Sequence, residues 1–249
     1  MKMRRWKKIL IIIIFGSIIT GVGIYFSLGR EEYVTGDAWA PSKWRVEDPS
    51  YAEFTNGSFS ALAYQPSRDF FGACLIQQGD SPHGWWNPSE KLGKNITIYR
   101  DKEQPLILHF VGKRTSPIEW FNNDPQNCAS NIGVLLVGDV GLDYYNNDTS
   151  EPHALFIDIW LDTNPEVNRT LHWPGVKDVE NDYHSGFSVE TMPEIGEKYE
   201  FKFRIDQIIK DALNRWKLES FTLKMVQCYV EAKASKASIE VSKILIVTQ

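Results

Sequence analysis

The sequence predicts an all-β fold: a two-sheet antiparallel β-sandwich with one late α-helix, preceded by an N-terminal transmembrane helix. Three observations carry this reading. About ten short stretches alternate apolar and polar residues between turn signals, the period of half-buried strands. A single stretch, beginning near Asp206, switches to helical spacing. Residues 9–29 run without a charge, close to the ~20 apolar residues that cross a bilayer as a helix. No internal repeat or domain break divides the rest of the chain, and a sandwich of about 200 residues is an ordinary single domain.

In chain order, residues 1–8 form a basic segment (Lys2, Arg4, Arg5, Lys7, Lys8) and residues 9–29 the expected transmembrane signal anchor. Positive charge is retained in the cytoplasm, so the N-terminus is expected inside and the body outside the cell membrane, single-pass. The alternative is a secreted body released by signal cleavage. A cleaved signal has a shorter apolar region of about 7–15 residues, and only Ser27-x-Gly29 resembles a cleavage site. Of 27 Lys/Arg and 32 Asp/Glu, six and two fall in the first 33 residues, leaving the remainder at a net −9. Such a body repels a phosphate backbone, which excludes a nucleic-acid partner. Four glycosylation sequons (Asn56, Asn95, Asn147, Asn168) agree with export. Cys74, Cys128 and Cys228 permit one disulfide with three possible pairings.

Residues 30–50 read as a tether and lead-in to a sandwich at 51–249, with Trp39 and Trp44 docking on the domain. Strand patterns then occur at Ser58–Gln65, Gly72–Gln77, Asn95–Arg100 and Pro105–Val111, the last two joined by a turn at Asp101-Lys-Glu-Gln. Asn131–Asp139 is almost wholly apolar, as expected of a central strand. Next comes His153–Pro165, then Phe187–Glu190, Tyr199–Ile205, Glu219–Ala232 and Ser238–Thr248. The helix lies between the last two pairs: Asp206 is its expected N-cap, with Ile208, Ile209, Ala212, Leu213 and Trp216 on one face. The loops Gly79–Leu92, Arg114–Ser130, Gly141–Pro152 and Thr163–Gly186 are long for hairpins and rich in aromatics, among them Trp173. Long loops of this kind form functional rims.

The unusual chemistry lies in His153–Pro165. Leu155, Ile157, Ile159 and Leu161 share one face and belong in a core; Phe156, Asp158, Trp160 and Asp162 share the other. Aromatics interleaved with carboxylates suit a sugar ring, which stacks its C–H faces and hydrogen-bonds through its hydroxyls; a plain solvent face is the alternative. On Leu223–Glu231, the residues Gln227, Tyr229 and Glu231 share a similar face. If the two strands are neighbours, Asp158 and Glu231 face each other across a groove, as the two carboxyls of a glycosidase do. The five histidines form no zinc-ligand pattern, and neither a nucleophile elbow nor a phosphate-binding glycine loop is present, so no metal or cofactor is expected.

Ile159-Trp160-Leu161, the lone helix after it and Gln227-Cys-Tyr-Val-Glu231 together resemble the concanavalin-like jelly-roll of family 12 glycoside hydrolases, of endo-β-glucanase type, over roughly residues 130–249. The resemblance implies a jelly-roll fold, and it implies that Glu231 is an acid/base residue. It puts Phe156 where the family carries its nucleophilic Glu, and bulkier residues where the family has a Gly after its Gln. The nucleophile is therefore not retained at the matching position, and Asp158 is the substitute on the same face. The leading expectation is a membrane-anchored extracytoplasmic protein that binds carbohydrate in a concave groove, glucanase-like with an incomplete catalytic pair. Phe156, Trp160, Gln227, Tyr229 and Trp173 are its expected ligand contacts, and a polysaccharide is its expected partner. An active tethered hydrolase using Glu231 and Asp158, and a structural or interaction domain of the cell surface, are the alternatives.

Overall fold

A computed structural model describes residues 32–80, 90–121, 129–140, 154–162, 170–174, 182–188 and 194–248. The expected membrane span at 9–29, Cys128 and the sequons at Asn147 and Asn168 lie outside them; among the described residues no helix is long and apolar enough to cross a membrane. The elements are β1 (Glu32–Tyr33), β2 (Ala40–Trp44), β3 (Tyr51–Thr55), β4 (Ser58–Gln65), β5 (Gly72–Gly79), β6 (Thr97–Tyr99), β7 (Leu106–Arg114), β8 (Glu119–Trp120), β9 (Ala129–Asp139), β10 (Leu155–Asp162), β11 (Thr170–Pro174), β12 (Tyr183–Ser188), β13 (Tyr199–Arg204), α1 (Ile205–Trp216), β14 (Ser220–Lys233) and β15 (Ser235–Thr248).

Strands β13-β7-β15-β4-β3 form sheet A, and β11-β12-β10-β9-β14-β5-β2 form sheet B, with β8 added to β15 and β6 to β14. The sandwich with one helix is therefore present. It is not purely antiparallel: β10 and β12 pair in parallel, with β11, antiparallel to β12, between them in the chain. Those two strands, β11 and β12, begin inside Thr163–Gly186, read from sequence as loop. β2, in the lead-in segment, is the edge strand of sheet B and pairs with β5.

Alternation fills the space between the sheets. Phe59, Ala61 and Ala63 from β4, Leu106, Leu108 and Phe110 from β7, and Ile239, Val241, Ile244 and Ile246 from β15 face inward from sheet A. Leu155, Ile157, Ile159 and Leu161 of β10 meet Ile132, Val134 and Leu136 of β9 and Val226, Cys228 and Val230 of β14 in the same core. Each large apolar side chain among them contributes about 1.5–3 kcal/mol of burial. The β3–β4 hairpin turns on Asn56-Gly57, both at positive φ (52° and 78°), the conformation that a two-residue hairpin loop requires.

The helix packs Ile205, Ile209, Ala212 and Leu213 inward. Its N-cap is Arg204, without a side-chain cap, so Asp206 is not the cap expected from sequence. Asp206 sits in the first turn, where its carboxylate accepts the Leu106 amide at 3.1 Å and Arg204 Nε at 2.7 Å. At the other end Trp216 stacks on Tyr183 (4.3 Å between centroids, 6° between planes) and donates to Ser185 Oγ at 3.1 Å. Cys74 and Cys228 are both free and buried; burial pushes the Cys74 thiol up to about 12 and the Cys228 thiol up as well.

Candidate functional site

The outer face of sheet B is assembled by register across four strands. β9 runs between β10 and β14, antiparallel to both, so the strands of Asp158 and Glu231 belong to one sheet but are not neighbours. Asp158 pairs with Leu135, Leu135 with Gln227, and Gln227 with Gln77. The next row joins Trp160, Gly133, Tyr229 and Leu75. One step further, Asn131 pairs with Glu231 and Glu231 with Ala73.

Two aromatic side chains lean across neighbouring strands. Tyr229 reaches over β9 and its hydroxyl donates to Asp158 Oδ1 at 2.6 Å. Gly133 makes this reach possible, because a Cβ there would stand 2.5 Å from the Tyr229 hydroxyl oxygen. Trp160 leans the other way, its ring resting on Gly186 of β12. Asn131 Nδ2 donates to Glu231 Oε2 at 2.9 Å. Gln227 Nε2 donates to Gln77 Oε1 at 3.1 Å and lies 3.8 Å from Met225 Sδ.

Most of this face is closed. Phe156, with Val137, Ala154 and Met225, forms a small buried cluster, and Tyr229 forms another with Ala73 and Leu75. Phe156 also stacks on His184 (4.7 Å, 11°), and burial lowers the pKa of that imidazole against the charge of Asp182. Asp158, Trp160, Leu135, Asn131 and Glu231 remain partly exposed. Of the residues singled out from sequence, Asp158, Glu231 and Trp160 thus reach the partly open patch, whereas Phe156, Gln227 and Tyr229 lie beneath or beside it. Trp173 pairs with His184, which places it in the row of Phe156.

The two carboxyls differ in proton affinity. Burial among protein atoms raises Asp158 to about 6, with the Tyr229 hydroxyl pulling it down. Burial raises Glu231 to about 7, opposed by Asn131 and reinforced by the negative charge of Asp158. Both carboxyls therefore hold a proton to higher pH than an exposed acid does, Glu231 mainly through burial and further through the negative charge of Asp158. Tyr229 is raised well above its ordinary value by burial and by both carboxylates, so it stays a donor. Among the described residues no group of three His, Cys, Asp or Glu is placed to hold a metal ion.

Sequence reasoning missed Asn131, Gly133 and Gln77. Asn131 and Gly133 alternate with Leu135 on β9, so the period was there to read, but their partners come from a strand about 100 residues away.

No family model matches the chain. No curated protein matches it either. The fold has known counterparts, all at low identity. An endo-1,4-β-glucanase, a cellulase called CelB2, matches with a TM-score of 0.58 and 11% identity over 88% of this chain and 96% of its own. A thermostable cellulase derived from Cel12A of Rhodothermus marinus matches with a TM-score of 0.55 and 12% identity over 88% and 95%. The family 11 xylanase from Neocallimastix patriciarum gives 0.53 and 10% over 88% and 95%. The fold is the jelly-roll of glycoside hydrolase families 12 and 11.

Proposed function

We propose that the protein binds a glycan chain on the outer face of sheet B, as a glucanase-like domain displayed outside the membrane and tethered by residues 9–29. The observation that carries the reading is the partly open patch of Trp160, Asp158, Asn131 and Glu231 on the outer face of sheet B. Trp160 offers a ring for a sugar to stack on, and three polar side chains with fixed partners stand beside it to hydrogen-bond hydroxyls. Affinity electrophoresis of the full chain in gels containing β-glucans, xylan or mannan tests this. Retardation by at least one polymer, lost in Trp160→Ala, is the expected result; unaltered mobility in every polymer sinks the reading. Protease accessibility of the body in intact cells tests its placement.

A second reading, hydrolysis, is favoured by two carboxyls on one face that both keep proton affinity near neutrality. With Asp158 raised to about 6 and Glu231 to about 7, one can be ionised while the other holds its proton, the division of labour that glycoside hydrolysis requires. Glu231 would protonate the leaving oxygen. Asp158, held by Tyr229, would attack or stabilise the positive charge developing at the anomeric carbon. Phe156, buried against His184, takes no part in this chemistry. Reducing-sugar release that peaks between those pKa values and is lost in both Asp158→Asn and Glu231→Gln is the expected outcome. Binding without release leaves the first reading alone.

A further inference from the structure

The end of this face beyond Glu231 is chemically different from its centre. Trp44 pairs with Ala73, and Ala73 with Glu231, so Trp44 stands at the edge strand in the row of Glu231 and Asn131. Lys233 lies two residues after Glu231 on β14, and strand alternation brings it to the same face. Arg45, directly after Trp44, has a φ of 49°, a left-handed conformation that costs a non-glycine residue about 1–2 kcal/mol. The surroundings hold it there. Its carbonyl accepts the side-chain amide of Gln65, and its backbone lies so close to β5 that a Cβ on Gly72 would meet the Arg45 carbonyl carbon at 2.8 Å.

This kink lays the guanidinium over two rings, 4.7 Å from the centroid of Trp44 and 5.8 Å from that of Phe70. Lys233 Nζ sits 5.2 Å from the centroid of Phe71. Trp44 and Phe70 are exposed, at 41% and 38%. Beside them opens a cavity of about 520 Å³ lined by Arg45, Val46, Glu47, Gln65 and Phe70. Elsewhere Lys113, Arg204, Lys210 and Lys236 rest on carboxylates. Arg45 and Lys233 form no ion pair among the described residues, Glu47 included. Aromatic rings orient a cation without neutralising it. Two uncompensated cations, one in a strained conformation, therefore stand at the edge of an acidic patch on a body of net negative charge.

We propose that Arg45 and Lys233 form a subsite for an anionic group, the carboxylate of a uronic acid or a sulfate ester, carried by a glycan bound on this face. It rests on the glycan-binding reading above. The planar guanidinium fork matches either oxyanion in two-point contact, and the exposed rings of Trp44 and Phe70 accept the sugar that bears it. β5 and β14 separate Arg45 from β9, and β10 with Asp158 lies beyond, so the carboxyls beside the subsite are Glu47, in the cavity lining, and Glu231, two residues from Lys233.

The test compares binding of the full chain to matched polymers that differ only in charge: xylan with glucuronoxylan for the carboxylate, and a galactan with its sulfated form for the sulfate. At about 20 mM salt the preferred acidic polymer is expected to bind about tenfold more tightly than its neutral partner, the gap narrowing at about 300 mM as charge is screened. In Arg45→Gln/Lys233→Gln the acidic polymer should fall to the affinity of the neutral one, with the neutral affinity unchanged. Arg45→Lys should retain part of the preference. Single Lys233→Gln, at a position without a tertiary ion pair, gives the same readout if the double variant does not fold. Equal affinity for charged and neutral polymers, or a preference that survives the substitutions, overturns the subsite and leaves glycan binding standing. Binding to none of them overturns the subsite, and it overturns glycan binding too if the β-glucan and mannan gels are also unretarded.

Discussion

Asp206 is fully buried and Asp158 partly exposed, and their surroundings answer the loss of water in opposite ways. Burial pushes Asp206 up, but the Arg204 hydrogen bonds, the Leu106 amide and the charge of Arg204 outweigh it and hold the carboxyl below the ordinary range. Asp158 has a single neutral donor, Tyr229, and burial prevails, raising it to about 6. A carboxylate given a cation and a backbone amide is a fixture of the fold. One given only a hydroxyl keeps its affinity for protons near neutrality, where it serves binding or chemistry.

The largest test of this contrast is Asp206→Asn. It leaves Arg204 without its anion and should cost about 2–3 kcal/mol at pH 7 in urea unfolding, less than a sealed pair because Arg204 is partly exposed. A pKa lowered by folding adds stability above the ordinary carboxylate value, lost as pH falls through the folded value. The deficit of the variant should therefore shrink in acid.

Gly133→Ala comes next. Its Cβ would enter the space of the Tyr229 hydroxyl and the Ile159 carbonyl oxygen, at 2.5 and 3.0 Å, costing about 1–3 kcal/mol as overpacking does. A loss of stability without any rise in the Asp158 pKa, read by carbon NMR of the carboxyl, would show that Tyr229 does not depend on this glycine.

Asp158→Asn should act in the opposite direction to Asp206→Asn. A pKa raised by folding adds stability below the ordinary carboxylate value, lost as pH rises through the folded value. For Asp158 and Glu231 that loss runs from about pH 4 to about 6 and 7 respectively. The wild type should thus unfold at a higher temperature at pH 5 than at pH 8 as far as these two groups decide it. Asp158→Asn should recover about 1 kcal/mol at pH 8, a figure discounted for the partial exposure of the group. The smallest expected effect is that of Tyr229→Phe: loss of one donor should raise the Asp158 pKa by about one unit or less in the same NMR titration.

Much of the scaffold was legible in the sequence because strand alternation is local. Leu155 to Leu161 on one face and Phe156 to Trp160 on the other come from period two alone, and the helix of residues 205–216 comes from its apolar spacing. β2 and β11 were read as lead-in segment and loop, and β12 as a shorter strand that begins only at Phe187. They are short strands at or near the edge of sheet B, whose pairing with β5 and β10 supplies the order that their own composition does not. The cap assigned to Asp206 failed for a related reason: an acid at a helix start is a cap by local rules, but here Arg204 and the distant Leu106 amide claim the carboxylate.

The sequence by itself determined which side chains share a face, that Asp158 and Glu231 stand beside aromatic residues, and the jelly-roll resemblance of residues 130–249. Only the tertiary structure decided that β9 lies between the two acids, that Tyr229 crosses Gly133 to reach Asp158, and that Arg45 rests on the rings of Trp44 and Phe70. Periodicity is a property of consecutive residues. Register, burial and proton affinity arise between strands far apart in the chain, once they are packed together.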